Sequence, residues 1–249
     1  MKKLRVAICG RNLAELSRLL ANYPTVSVVT TRPDLVISYG GDGALLGAER
    51  DFPGIPKLPL RDSGRNPQCA AHGEEQTLDL LVRGKLKPAP LFKLVADCGD
   101  RTLTAMNDIV LHNRVTTSAI RYRVWLDDEL YANRIVGDGL VAATPFGSTG
   151  YYRSITHSLF KIGIGLAFNN STEPTDHLVI GDDTVIRVEI LRGPAVLLAD
   201  NCPASHTIHL KRHDVITIRK ARQTASVLGL DAFRCAACAR LRQDNPDAM

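Results

Sequence analysis

The densest chemistry in the sequence lies where an apolar run, Leu35–Tyr39, ends in Gly40-Gly41-Asp42-Gly43 and leads into Ala44-Leu45-Leu46. Glycines let a backbone approach a ligand closely and adopt positive φ. A helix starting there offers N–H groups and the positive end of its dipole to a phosphate. A carboxylate inside such an anion cradle suits proton acceptance from a hydroxyl, or a metal held beside phosphates. A glycine turn with a capping Asp accounts for the four residues equally well. Two other segments add to the first. Asn107-Asp108 places an amide and a carboxylate side by side at the start of an apolar run, able to hold two ribose or amide hydrogen bonds at once. Val136-Gly-Asp138-Gly139 leads through Leu140–Ala143 to Thr144-Pro145-Phe146-Gly147-Ser148-Thr149-Gly150-Tyr151, a loop dense in hydroxyls and glycines that ends on an aromatic ring. That composition fits a hydrogen-bonded nucleotide site with a ring for stacking.

The elements that must position these residues divide into two styles. Arg5–Cys9, Val26–Val29 and Leu35–Tyr39 read as short buried strands. Asn12 is a candidate N-cap for a helix carrying Leu13, Leu16, Leu19 and Leu20 on one face, and Ala44–Arg50 and Thr77–Arg83 read as further helices. The alternation predicts a parallel sheet covered by helices. Pro88 and Pro90 read as a stiff link. Beyond Leu91 the period becomes two. Ile120, Tyr122, Val124 and Leu126 alternate with Arg121, Arg123 and Trp125, and Ile186, Val188 and Ile190 with Arg187 and Glu189. Ala195–Ala199 and Val215–Arg219 read as further strands. This pattern predicts antiparallel sheet in two packed layers. The predicted fold is therefore an α/β domain over residues 1–90 and an all-β domain over 91–231. Residues 232–249 read either as a helix returning to the first domain or as a frayed tail.

In order and separation, the blocks over residues 34–154 resemble the NAD kinases. That family carries Gly-Gly-Asp-Gly after a strand, then an Asn-Glu pair, Asp-Gly-Leu, and Thr-Pro-x-Gly-Ser-Thr-Ala-Tyr. The resemblance implies an α/β domain with a C-terminal β-sandwich. It implies phosphoryl transfer from ATP, or polyphosphate, to the adenosine-ribose 2′-hydroxyl of NAD, giving NADP, with a divalent cation, Mg2+ expected. Asp42 then matches the general base, and Gly40, Gly41 and Gly43 match phosphate-holding positions, with Gly43 also beside the dinucleotide. Asn107, Asp108, Asp138, Thr149, Gly150, Tyr151 and Ser154 match the NAD site, and Asp200-Asn201 matches an Asp-led turn near it. A cytoplasmic homo-oligomer is implied by the same analogy.

Several positions depart from the pattern. Ala44 stands for Thr, Asp108 for Glu and Gly150 for Ala. Tyr152-Arg153-Ser154-Ile155 replaces Ser-Leu-Ser-Ala-Gly-Gly, and Asp62-Ser63-Gly64-Arg65 is what remains of an Asn-x-Gly-x-x-Gly-Phe-Leu loop. These losses motivate a second reading, a dinucleotide-binding protein with weak or no turnover. A kinase of another small hydroxyl, such as a lipid or sugar alcohol, is a third, because lipid kinases share the Gly-Gly-Asp-Gly turn. The Thr-Pro-x-Gly-Ser-Thr loop counts against it.

Composition narrows the classes further. Hydrophobic residues make up 45% and charged residues 23%, ordinary globular usage. Aromatics at 5% argue against repeated base stacking, and a net charge of +5 from scattered basic residues does not mark a nucleic-acid binder. No apolar run reaches the roughly 20 residues of a membrane helix, and Leu4–Cys9 is too short for a signal peptide. The cysteines therefore read as reduced cytosolic thiols. Cys235-Ala-Ala-Cys238 has the spacing of half a zinc site or a redox pair. With no second Cys-x-x-Cys, and Cys9, Cys69, Cys98 and Cys202 standing alone, it reads as structural thiols and no metal site is assigned. His206, His209 and His213 read as solvated, and Asp127-Asp128-Glu129 as a hairpin turn.

Overall fold

The computed structural model describes residues 3–244. The chain opens with β1 (Leu4–Gly10), α1 (Leu13–Leu20), β2 (Val26–Val28), β3 (Leu35–Tyr39), α2 (Asp42–Asp51), β4 (Lys57–Leu60), α3 (Glu74–Val82) and β5 (Pro88–Leu91). It continues through β6 (Leu94–Cys98), β7 (Arg101–Ala105), β8 (Asp108–Asn113), β9 (Ile120–Leu126), β10 (Glu129–Gly137) and β11 (Gly139–Ala143). Then come α4 (Tyr151–Thr156), β12 (Ile164–Asn169), β13 (Leu178–Ile180), β14 (Ile186–Arg192), β15 (Ala195–Ala199), β16 (Ile208–Leu210) and β17 (Val215–Lys220). The last elements are β18 (Ala225–Leu228), α5 (Leu230–Phe233) and α6 (Ala236–Gln243). Two compact units result, one from the residues up to Leu91 together with those from Ala225 on, the other from Phe92–Thr224.

The first unit is α/β. Its sheet runs β2-β1-β3-β4-β18-β5 and is parallel except for the last pair, β18 with β5. β3 is buried at all five positions, as a parallel strand covered on both faces must be. Val6, Ile37 and Leu58 point to one face, where Leu16 and Leu20 of α1 and Leu78 of α3 pack on them. Ala7 and Val36 point to the other, against Ala48 of α2. Period two in the strands and 3.6 in the helices thus yields two thin cores, one on each side of the sheet. A fully buried ammonium, Lys57, anchors α2 to β4 by pairing with Glu49 and donating to the Phe52 carbonyl at 2.6 Å.

Three local expectations are corrected here. Pro88 and Pro90 are not a link but part of β5, the sheet's edge strand, where a residue without an N–H is tolerated. Residues 225–231, grouped by their pattern with the second domain, supply β18 and the start of α5 to the first unit. A buried strand of alternating small and branched residues carries no mark of which sheet will take it. Asn12 is the N-cap residue of α1, its carbonyl accepting from the Glu15 N–H at 3.0 Å, but it is left-handed and its side chain makes no cap hydrogen bond, because its amide donates to Asp62. The tail residues 230–243 fold in the first unit as α5 and α6, while 245–249 lie outside the described residues.

The second unit is an antiparallel sandwich. One sheet runs β10-β9-β14-β17-β6-β7 and the other β13-β12-β11-β8-β15-β16. Their facing sides share one core, with Leu94, Tyr122, Val188 and Ile218 meeting Ile109, Leu140, Leu166 and Leu197. The outer face of the second sheet presents Val110, Val141, Ala143 and Ala167 to Tyr152 and Ile155 of α4. That helix fixes the loop before it. Among the described residues no helix is long and apolar enough to cross a membrane.

Candidate active site

In the first unit, β3 ends on Tyr39 and the chain turns through Gly40 and Gly41 into α2. Gly40 has φ +136°, a conformation that side chains oppose, so the turn requires glycine. Gly41 is extended, and its carbonyl accepts from the Ala44 N–H at 3.0 Å. Asp42 is therefore the first residue of a ten-residue helix, with its partly exposed carboxylate beside the helix N-terminus. Two guanidinium groups hold that carboxylate, Arg61 at 3.0 Å and Arg234 at 3.4 Å. Arg61 lies at the end of β4, its guanidinium 4.1 Å above the Phe233 ring. Burial draws the Arg61 guanidinium down from its ordinary range, Asp42 opposes this, and the positive charges of Arg242 and Arg234 add to it. Arg61 Nε and Arg242 Nη1 are buried without a hydrogen-bond partner among the described residues. Two guanidinium groups on one carboxylate, with the charge of Arg242 felt at Arg61, leave an excess of positive charge at a helix N-terminus, the arrangement that phosphate oxygens complete. Asp62 and Glu74 brace the neighbouring loop: the Gly64 N–H donates to Asp62 at 3.1 Å, and the Ser63 hydroxyl to Glu74 at 2.9 Å.

The second unit carries a separate group of candidate residues at the ends of β8, β11 and β15. Asp200 follows β15 and accepts from the backbone N–H groups of Met106 (2.9 Å), Asn107 (2.7 Å) and Asp108 (3.1 Å). This cradle fixes the Asn107-Asp108 pair. The Asn107 carbonyl accepts from the Thr144 N–H at 2.8 Å, and the Thr144 hydroxyl bridges the Met106 carbonyl (2.6 Å) and the Gly147 N–H (3.1 Å). Gly147 packs so tightly that a Cβ there would lie 2.2 Å from the Asn107 carbonyl oxygen. A Cβ at Gly150 would stand 3.3 Å from the Gly147 carbonyl oxygen and 3.9 Å from both Asn107 Nδ2 and Asp108 Oδ2. Asn107 Oδ1 is buried with no partner among the described residues, an acceptor a ligand donor would satisfy. Burial pushes Asp108 up to about 7, with Asp200 adding to the effect.

The rest of this half closes around Tyr151. Its hydroxyl accepts from Asn169 Nδ2 at 2.9 Å, and burial, Asp138 and Asp108 all raise the phenol. Asp138 is held by Asn113 and Asn170, each at 3.0 Å. Thr149 and Gly150 are exposed. Ser154 is exposed as well, and its hydroxyl turns back to donate to the Tyr151 carbonyl at 2.7 Å. The sequence-derived residues thus form two groups: Gly40, Gly41, Asp42 and Gly43 in one unit, and Asn107, Asp108, Asp138, Thr149, Gly150, Tyr151 and Ser154 in the other.

Residues 106–230, half of the chain, match the family model of the ATP-NAD kinase C-terminal domain. The chain belongs to the NAD kinase family. It is 38% identical over 130 residues to an NAD kinase of Cytophaga hutchinsonii, covering 48% of this chain and 44% of that relative. It is 25% identical over 232 residues to one of Nitrosospira multiformis, covering 87% and 78%. Its fold matches that of yeast NADH kinase, solved with NADH, with a TM-score of 0.78 at 19% identity over 95% of this chain and 88% of the other.

For an NAD kinase family member, some departures from the motif now have a physical reason. Tyr152 is a core residue that meets Phe160 edge-on at 5.0 Å, and the missing side chain of Gly165 makes room for the Phe160 ring. The family's small Ser at that position gives way to a packed aromatic pair. Asp108, shorter than Glu, sits in the buried floor of its site. The sequence reading missed Arg61, Arg234, Asn113, Asn169 and Asn170. None carries a local signal, because each reaches its partner from a distant strand or helix. The claim that Cys69 stands alone is also corrected: a turn brings Cys69 and His72 against Cys235 and Cys238.

Proposed function

We propose that this chain transfers the terminal phosphoryl group of ATP to the 2′-hydroxyl of the adenosine ribose of NAD, giving NADP. The observation that carries the reading is Asp42, a carboxylate on a glycine turn at a helix N-terminus, gripped by Arg61 and Arg234. A carboxylate there accepts the hydroxyl proton, while the guanidinium groups and helix-start amides neutralise phosphate oxygens. Phosphoryl transfer needs such alignment and charge more than covalent help. Asp42 is already held by two cations, so magnesium fits as part of the nucleotide complex rather than as a protein-held ion. In the second unit the Asn107 amide, the Asp108 carboxyl and Asp138 would bind the dinucleotide's hydroxyl and amide groups, with Gly150 leaving space and Tyr151 offering a ring. A cytosolic location and homo-oligomeric assembly belong to the same reading by family analogy.

The test is direct. The purified chain with NAD, ATP and magnesium forms NADP, read with an NADP-specific dehydrogenase, and polyphosphate is run as alternative donor. A second reading, dinucleotide binding without turnover, is favoured by the same double ion pair, since the two guanidinium groups occupy the carboxylate oxygens that a hydroxyl would have to reach. Tight NAD binding with no product from any donor selects that reading, and product formation removes it.

A further inference from the structure

Among the described residues one cluster of side chains has the composition of a metal site: Cys69, His72, Cys235 and Cys238, whose ligand atoms all lie within 4.8 Å of one another. All four belong to the first unit. Cys69 and His72 sit on a turn between β4 and α3, closed by the His72 N–H donating to the Cys69 carbonyl at 2.9 Å. Cys235 directly precedes α6, and Cys238 lies in its first turn. Each pair is separated by two residues, a spacing that lets both members of a turn or helix start reach one ion.

The distances suit a tetrahedron. Cys69 Sγ lies 3.2 Å from His72 Nδ1 and 3.4 Å from Cys238 Sγ, and Cys238 Sγ lies 3.7 Å from His72 Nδ1. Zinc bonds of about 2.3 Å to sulfur and about 2.0 Å to nitrogen give ligand edges of about 3.5–3.8 Å. A disulfide needs sulfurs about 2.05 Å apart and would leave His72 and Cys235 without a role. The surroundings supply N–H donors to sulfur. The Cys69 N–H points to Cys238 Sγ at 3.3 Å, and the Ala237 and Cys238 N–H groups to Cys235 Sγ. Such contacts orient thiolate ligands and spread their charge.

We propose that Cys69, His72, Cys235 and Cys238 bind one zinc ion in a closed structural site. Three thiolates and one imidazole are a soft, four-ligand set that zinc fills without an open position. The ion ties the loop after β4 to the α5–α6 segment, joining residues 169 apart in sequence, the kind of long closure a metal clip stabilises most. That segment presents Phe233 to Arg61 and Arg234 to Asp42. The zinc therefore positions one of the two cations on Asp42 without touching the reacting groups.

The test uses the full chain, purified without chelator or polyhistidine tag. Elemental analysis is expected to find about one zinc per chain, whether or not NADP is formed. Cys69→Ser and His72→Ala lose most of it, while Cys202→Ser, outside the cluster, retains it. Should the cluster variants fail to fold, the unaltered chain still decides: cobalt exchanged into it shows the intense visible absorption of a tetrahedral thiolate site, and stripping the metal lowers its melting temperature. Metal-free protein with no cobalt spectrum, a Cys69–Cys238 disulfide in non-reducing peptide mapping, or zinc retained by a Cys235→Ser, Cys238→Ser double variant overturns the proposal.

Discussion

The two units gather their candidate ligand groups by opposite means. Around Asp42 the first unit gathers charge: one partly exposed carboxylate and guanidinium groups from β4 and from the α5–α6 segment. Around Asn107 and Asp108 the second unit gathers backbone, with three N–H groups on Asp200 and a carbonyl under Gly147. Long side chains in a charged corner can exchange one anion for another. A backbone cradle in a buried floor holds one shape. Under the proposed function the contrast assigns charge handling to the first unit and recognition of form to the second.

The contrast breaks most sharply at Asp42. In Asp42→Asn, kcat for NADP formation is expected to fall by about 10²–10⁴-fold, the usual worth of a positioned base. The NAD dissociation constant, measured by calorimetry, stays within a few-fold. A large loss of NAD binding in this variant would merge the two roles. Next in size is Gly147→Ala, whose added Cβ would meet the Asn107 carbonyl oxygen at 2.2 Å. Backbone cannot yield cheaply there, so NAD binding is expected to weaken by at least about 10-fold, with a lower melting temperature. Asp200→Asn comes third. It replaces an acceptor of three N–H bonds with a group that opposes one of them, and a charge-assisted bond contributes about 1.5–3 kcal/mol. NAD affinity should drop about 10-fold while nucleotide hydrolysis background and ATP binding do not change.

The smallest expected effect is a pH dependence at Asp108, pushed up to about 7 by burial and then by Asp200. Below about pH 4 this acid is neutral in both the folded and the unfolded chain. Between about pH 4 and 7 the unfolded chain releases the proton while the folded chain keeps it, so the group's contribution to stability falls as pH rises and levels off above 7. Asp108→Asn removes that slope. Calorimetric melting should show the variant a few degrees above the parent at pH 8 and level with it near pH 4. A ribose hydroxyl donating to Asp108 favours the ionised form, so NAD affinity in the parent should rise toward pH 7 and lose this rise in the variant. Repeating the titration in Asp200→Asn should move the transition toward lower pH, since one of the two causes is gone.

Much of the fold was legible because its signals are local. The alternation at 120–126 and 186–190 states a strand with one face buried, and the strand–glycine–helix run at 35–46 states a turn able to take positive φ. Other elements were not legible for equally physical reasons. Pro88 and Pro90 look like a linker until β18 pairs with them, because proline excludes a central strand but not an edge. Asn12 has the residue type of a helix cap, yet the tertiary partner Asp62 outcompetes the local N–H. Tyr152 suits a core aromatic by residue type, but its partner Phe160 comes from beyond its own helix and is named only by the fold.

By itself the sequence determined periodicity, turn chemistry and the order of the Asp42, Asn107, Asp138 and Thr149–Tyr151 segments, since these depend on residues a few positions apart. Only the tertiary structure decided that Arg61 and Arg234 share Asp42, that Asp200 holds the backbone of residues 106–108, and that Cys69 and His72 meet Cys235 and Cys238. Each of those contacts joins groups from segments distant in the chain. Their meeting depends on strand order and on the path of the closing helix, which no local propensity encodes.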